Sequence, residues 1–148
     1  MSDDRLGLQV THRRYVSYAD AHYAGDLVAG AFLMGLFGDV ATEVCIRTDG
    51  DEGLLASYAD VQFRAPVRAG DVVEVTATVT RVGNRSRDLD LEARVVCRSA
   101  AAVAGSDTAA GAGATDETPV APSSAVVLEE PFVAATARAT VVVPVPRA

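Results

Sequence analysis

An α+β domain, with one long helix and an antiparallel sheet, is what this sequence predicts. Three stretches carry the expectation. Between residues 31 and 47, Leu33, Leu36, Phe37, Val40 and Val44 recur at helical spacing and make one apolar face. Val73, Val75, Ala77 and Val79 alternate with Glu74, Thr76, Thr78 and Thr80. After a break at Gly83-Asn84 the alternation resumes through Leu89, Leu91, Ala93, Val95 and Cys97, so the two runs predict an antiparallel pair.

The remaining elements follow in chain order. Leu6, Leu8, Val10, Val16 and Tyr18 alternate with polar neighbours and predict a partly exposed first strand over residues 6–18. A loop, Asp20 to Gly25, leads toward the helix. Gly35 and Gly38 lie inside that helix, each costing about 1 kcal/mol relative to Ala, which suggests close packing against its backbone. Thr48 to Gly53 is an acidic turn that ends it. Val61, Phe63 and Ala65 predict a short strand stopped by Pro66, and Ala69-Gly70-Asp71 a turn. Residues 99–125 are mostly Ala, Gly, Ser, Thr and Pro; they cannot bury enough apolar surface to order themselves and are expected to be a flexible insertion. A last strand runs from Phe132 to Val143, with Pro144 at its end.

The 148 residues fit a single domain spanning 1–148. Aromatic residues make up only 5% and Trp is absent, so Ala and Val must supply much of the core. A net charge of −7 argues against non-specific nucleic-acid binding, which depends on neutralising phosphates. No apolar run is long enough to span a bilayer, so no membrane partner is expected. Met1-Ser-Asp-Asp-Arg5 lacks the apolar core of a signal peptide. A cytoplasmic location with reduced thiols is therefore expected, and Cys45 and Cys97, each inside a periodic segment, read as packing residues.

Several stretches resemble known families. Asp20 to Gly30, continuing to Gly38-Asp39, is similar to the loop-and-helix pattern of the acyl-CoA thioesterase branch of the hotdog superfamily. Val61 to Asp71, followed by Arg81-Val-Gly83-Asn-Arg85-Ser86, resembles that superfamily's strand, turn and coenzyme-binding stretch. A closer resemblance is to the 3-aminobutyryl-CoA ammonia-lyases, through His22-Tyr23-Ala-Gly25, Leu36 to Glu43, Asp49 to Gly53 and Leu128-Glu-Glu-Pro131. His22 stands where the thioesterases usually have Asn. The resemblance implies a hotdog fold, a five-stranded antiparallel sheet wrapped around one central helix. It also implies an acyl-CoA substrate and a homo-oligomer, a dimer or trimer of dimers, with the site between protomers.

Candidate site residues follow from the residues and the resemblance together. Asp39 and Glu43 are one helical turn apart and share a face with Ala31 and Gly35, leaving room for an acyl chain beside two carboxylates. Ammonia elimination from a β-aminoacyl thioester needs a base for the proton next to the carbonyl, and burial would raise either carboxylate toward that task. His22 could exchange protons with the amine. Gly30 and Ala31, at the helix start, offer free amides that could polarise the thioester carbonyl. Arg81, Arg85, Ser86 and Arg87 form a local basic cluster suited to coenzyme A phosphates. His12, beside Arg13 and Arg14, receives no role. No metal site is readable, since Asp49-Gly-Asp51-Glu52 lacks the remaining spacing of a calcium loop. The expected chemistry needs no cofactor, because coenzyme A is part of the substrate. The expected activity is a carbon-nitrogen lyase acting on a short β-aminoacyl-CoA, or the reverse amine addition. The alternatives are an acyl-CoA thioesterase and a biosynthetic protein adding an amine to an enoyl thioester on a carrier protein.

Overall fold

The computed structural model describes residues 3–106 and 121–144. Strand β1 (Gln9–Tyr15) leads through a 3₁₀ turn to a small hairpin, β2 (Ala21–Tyr23) and β3 (Leu27–Val28), and then to helix α1 (Gly30–Asp49). Strands β4 (Leu54–Phe63), β5 (Val72–Val82) and β6 (Ser86–Ser99) follow, then a short helix α2 (Ala100–Ser106) and strand β7 (Ala125–Val142). The main sheet is antiparallel throughout, in the order β1-β5-β6-β7-β4, and α1 touches all five of its strands.

Side-chain size explains how one helix reaches every strand. Leu33, Leu36, Phe37, Val40 and Val44, the expected apolar face, are all buried. Opposite them the sheet presents Ala77, Ala93, Ala135, Ala137 and Ala139 among valines, all buried. Large residues on the helix meet small ones on the strands, so the sheet can curl closely around it. Burying each large side chain stabilises the fold by about 1.5–3 kcal/mol. Gly50 ends α1 in the left-handed conformation at φ 66°, and its amide donates to the Ile46 carbonyl. At Gly53 a side chain would meet the Val142 carbonyl at 2.8 Å and the Cys45 sulfur at 2.9 Å, so the turn out of the helix passes too close to β7 for any other residue.

Strand boundaries differ from the sequence reading in several places, and β1 spans Gln9–Tyr15 rather than residues 6–18, with Tyr18 in the 3₁₀ turn. β4 begins at Leu54 rather than near Val61, because register shifts after Leu55 and Ala59 break its period of two and only Tyr58 and Val61 are even half-buried. β7 begins at Ala125 rather than Phe132: β6 runs on to Ser99 and pairs Arg98 with Val126, forming a two-stranded arm where apolar alternation fails. The Asp20–Gly25 loop contains β2, which forms a hairpin with β3 just beyond it. Of the expected 99–125 insertion, the flanks are regular, since Ser99 ends β6, α2 follows it and Ala125 opens β7. Residues 107–120 lie outside the described region.

A buried ion pair ties the turn before β5 to the arm. Asp71 is fully buried and accepts two 2.9 Å hydrogen bonds from Arg98, together with the Arg68 amide at 2.8 Å. Arg98 also lies over the Phe132 ring, 5.0 Å from its centroid. Asp71→Ala would leave a nearly buried guanidinium without its counter-charge and should cost about 3–5 kcal/mol. Thermal melting should show this as a drop of about 10 °C or more for a chain of this size.

Candidate active site

Helix α1 distributes the candidate residues into three groups along its length. At its N-terminal end, Gly30 and Ala31 line a cleft of about 490 Å³ with Tyr23, Met34, Phe63 and Arg64. No side chain caps this end: the N-cap residue is Ala29, so the leading amides lack the usual side-chain acceptor. A side chain at Gly30 would meet the Phe63 ring at 2.7 Å, so the ring would have to move aside for any other residue. His22 belongs to the same end, exposed on β2 with its ring edge-on to Tyr23 at 4.6 Å. Phe63 and Arg64 are not candidate site residues in the sequence reading, since only the tertiary fold brings the end of β4 across the helix start.

Asp39 and Glu43 occupy the middle. Asp39 is exposed, and among the described residues it accepts no hydrogen bond and enters no ion pair. Its charge reaches the half-buried Tyr58 of β4, whose hydroxyl is pushed up by burial and by the nearby Asp39. That hydroxyl donates to the Met34 carbonyl at 2.6 Å. Glu43 is differently placed. It accepts from Arg47 at 2.8 Å and is bonded to His12 at 2.9 Å, so the histidine that received no role is tied to a candidate base. Burial was expected to raise such a carboxylate. Arg47 first and His12 second hold Glu43 below its ordinary value instead.

The basic cluster gathers at the C-terminal end, and most of its charge is already engaged. Arg87 is buried and grips Asp49 through two bonds of 2.6 and 3.1 Å, while donating to the Gly83 and Ser86 carbonyls. Arg81 is bound to Asp88 at 2.6 and 3.1 Å and donates to the Ser86 hydroxyl at 2.9 Å. Arg85 is exposed and has no carboxylate partner among the described residues; it makes one long contact, 3.4 Å, to the Val143 carbonyl. Burial pushes the Cys45 thiol up to about 11, which suits packing rather than reactivity; Cys97 is half-buried.

Distances along the helix limit what one protomer can do. Asp39 lies nine residues beyond Gly30, a rise of about 13 Å, and Glu43 about 20 Å. A thioester carbonyl at the first turn has its acidic carbon one bond away, so neither carboxylate of the same chain can reach it. The three groups are therefore separate within a protomer.

A five-stranded antiparallel sheet closed around one helix, with a cleft at the helix start, defines a hotdog-fold protein. Residues 25–96 match the thioesterase superfamily. The 3-aminobutyryl-CoA ammonia lyase of Acetoanaerobium sticklandii is 44% identical over 129 residues, covering 87% of this chain and 89% of that protein. Among solved structures, β-alanyl-CoA:ammonia lyase from Clostridium propionicum superposes with a TM-score of 0.76 at 33% identity, over 93% of this chain and 86% of that one. The hexameric thioesterase from Yersinia pestis shares the fold, with a TM-score of 0.65 at 19% identity over 93% of this chain and 88% of that one. The chain belongs to the hotdog thioesterase superfamily and, within it, to the family of these acyl-CoA ammonia lyases.

The Asp49–Arg87 pair gives a pH prediction. Burial pushes the Asp49 carboxyl up, but hydrogen bonds from Arg87 and Thr48 outweigh it and the group sits below its ordinary value. A depressed carboxylate contributes stability above its unfolded value, near about 3.9, and loses that contribution as pH falls through the folded value. Asp49→Asn should therefore cost about 3–5 kcal/mol at neutral pH, through the unpaired Arg87. The gap from wild type should narrow steadily below about pH 4; urea midpoints measured at both ends of the range check it.

Proposed function

We propose that this protein eliminates ammonia from a short β-aminoacyl-CoA such as 3-aminobutyryl-CoA, giving the enoyl-CoA, and catalyses the reverse addition. The observation that carries this is the 44% identity to a 3-aminobutyryl-CoA ammonia lyase across nearly the whole of both chains. Asp39 is the first choice for the base, being the helix carboxylate free of protein partners among the described residues. Glu43, held ionised by Arg47 and His12, is better suited to fixing charge than to taking a proton. The uncapped start of α1 at Gly30 and Ala31 polarises the thioester carbonyl and stabilises the enolate formed when the proton leaves. His22 assists proton traffic at the same end. Arg85, without a carboxylate partner, is the cluster member available to coenzyme A phosphates, while Arg81, Ser86 and Arg87 shape the hairpin that presents it. The chemistry requires no redox cofactor or metal.

The working unit is a homo-oligomer built from dimers. β4 is one of the two edges of the sheet, β1 being the other, and it exposes Leu54, Leu55 and Phe63, which favours pairing there. β4 starts near the C-terminal end of α1 and ends at its start, where Phe63 meets Gly30. Antiparallel pairing of two β4 strands brings Asp39 and Arg85 of one protomer toward the cleft of the other, which removes the 13 Å problem. Light scattering should give at least a dimer mass; a fully active monomer would contradict the reading.

A thioesterase remains the second reading, favoured by the superfamily match over residues 25–96. It would use the same groups to direct water at the carbonyl carbon. No helix among the described residues is long and apolar enough to cross a membrane, and action in the cytoplasm is part of the proposal. Supplying 3-aminobutyryl-CoA and following both enoyl thioester and free thiol separates the readings: enoyl product should dominate, whereas thiol alone would mean hydrolysis. Asp39→Asn should lower kcat by about 10²–10⁴-fold with thioester affinity retained, and Glu43→Gln by less. Arg85→Ala should raise KM and spare kcat.

A further inference from the structure

The cleft at the start of α1 has a feature that the reaction itself does not require. Its aromatic wall, Phe63, comes from the last residue of β4 and sits directly against Gly30 of the helix. An added methyl at Gly30 would meet the ring's Cζ at 2.7 Å and Cε1 at 2.9 Å, so the ring takes the space that any other residue would fill. Phe63 is nevertheless 54% exposed, because its other face borders the cleft. A large apolar side chain left this open at a strand end, against a helix start that gives up its own side chain, is placed to limit the cleft.

From this packing we infer that Phe63 limits the length of acyl chain the protein accepts. The inference rests on the reading of this cleft as the acyl-CoA site and deepens it. The cavity, about 490 Å³, lies within the range of small-molecule sites and is lined mainly by apolar side chains, with Arg64 as the charged residue. A short acyl chain fits beside Met34 and Val28, while further methylenes need the volume that the ring fills. An apolar pocket discriminates by about tenfold or more per methylene when there is no room for the addition.

Binding, rather than turnover, gives the test. Dissociation constants for butyryl-CoA and hexanoyl-CoA are measured by calorimetry on wild type, Phe63→Ala and Phe63→Leu, each checked for the wild-type mass by light scattering. Wild type should prefer the butyryl thioester by at least about tenfold. Phe63→Ala should reduce that preference at least fivefold, and Phe63→Leu by an intermediate amount, which keeps the test intact if the alanine variant folds poorly. A smaller reduction in both variants overturns the inference alone, leaving the assignment of the cleft in place. Failure of wild type to bind either thioester overturns the inference together with the assignment it rests on. A thermal double-mutant cycle tests the packing independently. Gly30→Ala should lower Tm in wild type and be nearly neutral beside Phe63→Ala; an equal loss in both backgrounds would show that the ring does not occupy the Gly30 surface.

Discussion

Burial of one helix inside one curled sheet governs the rest of this molecule. The sheet's inner face is largely Ala and Val, so it closes on α1 only where the helix projects Leu33, Leu36, Phe37, Val40 and Val44. That packing fixes the helix along its whole length and leaves its two ends with different fates. The C-terminal end is pinned: Gly50 caps it, Asp49 is gripped by buried Arg87, and Gly53 passes against β7. The N-terminal end has no side-chain cap and opens onto a cleft. An end that still has hydrogen bonds to give is where a ligand carbonyl gains most, because the donors are positioned before it arrives and no protein acceptor must be displaced.

The same economy shows in the charges. Among thirteen arginines and twenty acidic residues, nearly every group close to the core is paired. Arg98 holds Asp71, Arg87 holds Asp49, and Arg81 holds Asp88, each with two hydrogen bonds. These pairs fasten turns to strands, and a guanidinium committed in this way is poorly placed to leave for a phosphate. Asp39 and Arg85 stand apart from this network, one on the helix flank and the other at the β5–β6 turn. Free of ion pairs among the described residues, they are the members of the proposed site with charge still to offer.

Periodicity made the fold legible wherever one face of an element is buried. The five apolar helix positions and the alternation of β5 and β6 are found inside, as the spacing requires. It failed for β4, where bulges and two-sided exposure erase the period, and for the arm of β7, which leaves the sheet. The resemblance, not the spacing, supplied the closure of sheet around helix. Of the site, residue types were legible and their company was not. His12 and Glu43 are 31 positions apart, and Asp49 and Arg87 are 38 apart. A cluster written Arg81, Arg85, Ser86, Arg87 looks uniformly basic in sequence, yet burial separates an anchored arginine from an available one. Gly30 offered a hint, since a glycine opening a helix suggests close approach, but the approaching group is Phe63 from another strand.

Hydrolysis and ammonia elimination share a polarised thioester carbonyl, so the fold by itself cannot choose between them. The choice depends on what stands beside the acyl chain. A hydrolase must admit water and aim it at the carbonyl carbon, whereas an eliminating enzyme must hold the acyl chain so that its acidic C–H meets a base. The cleft's lining of Val28, Met34, Phe63 and Pro66 favours the second, because apolar walls fix the chain and give water few partners. On the proposed reading, a carboxylate from a second protomer would meet the flank of that chain, where the proton is, and not the carbonyl at the helix start. In this arrangement the length of α1 keeps the base and the carbonyl-binding amides of one chain apart, and pairing across β4 decides which carbon the base meets.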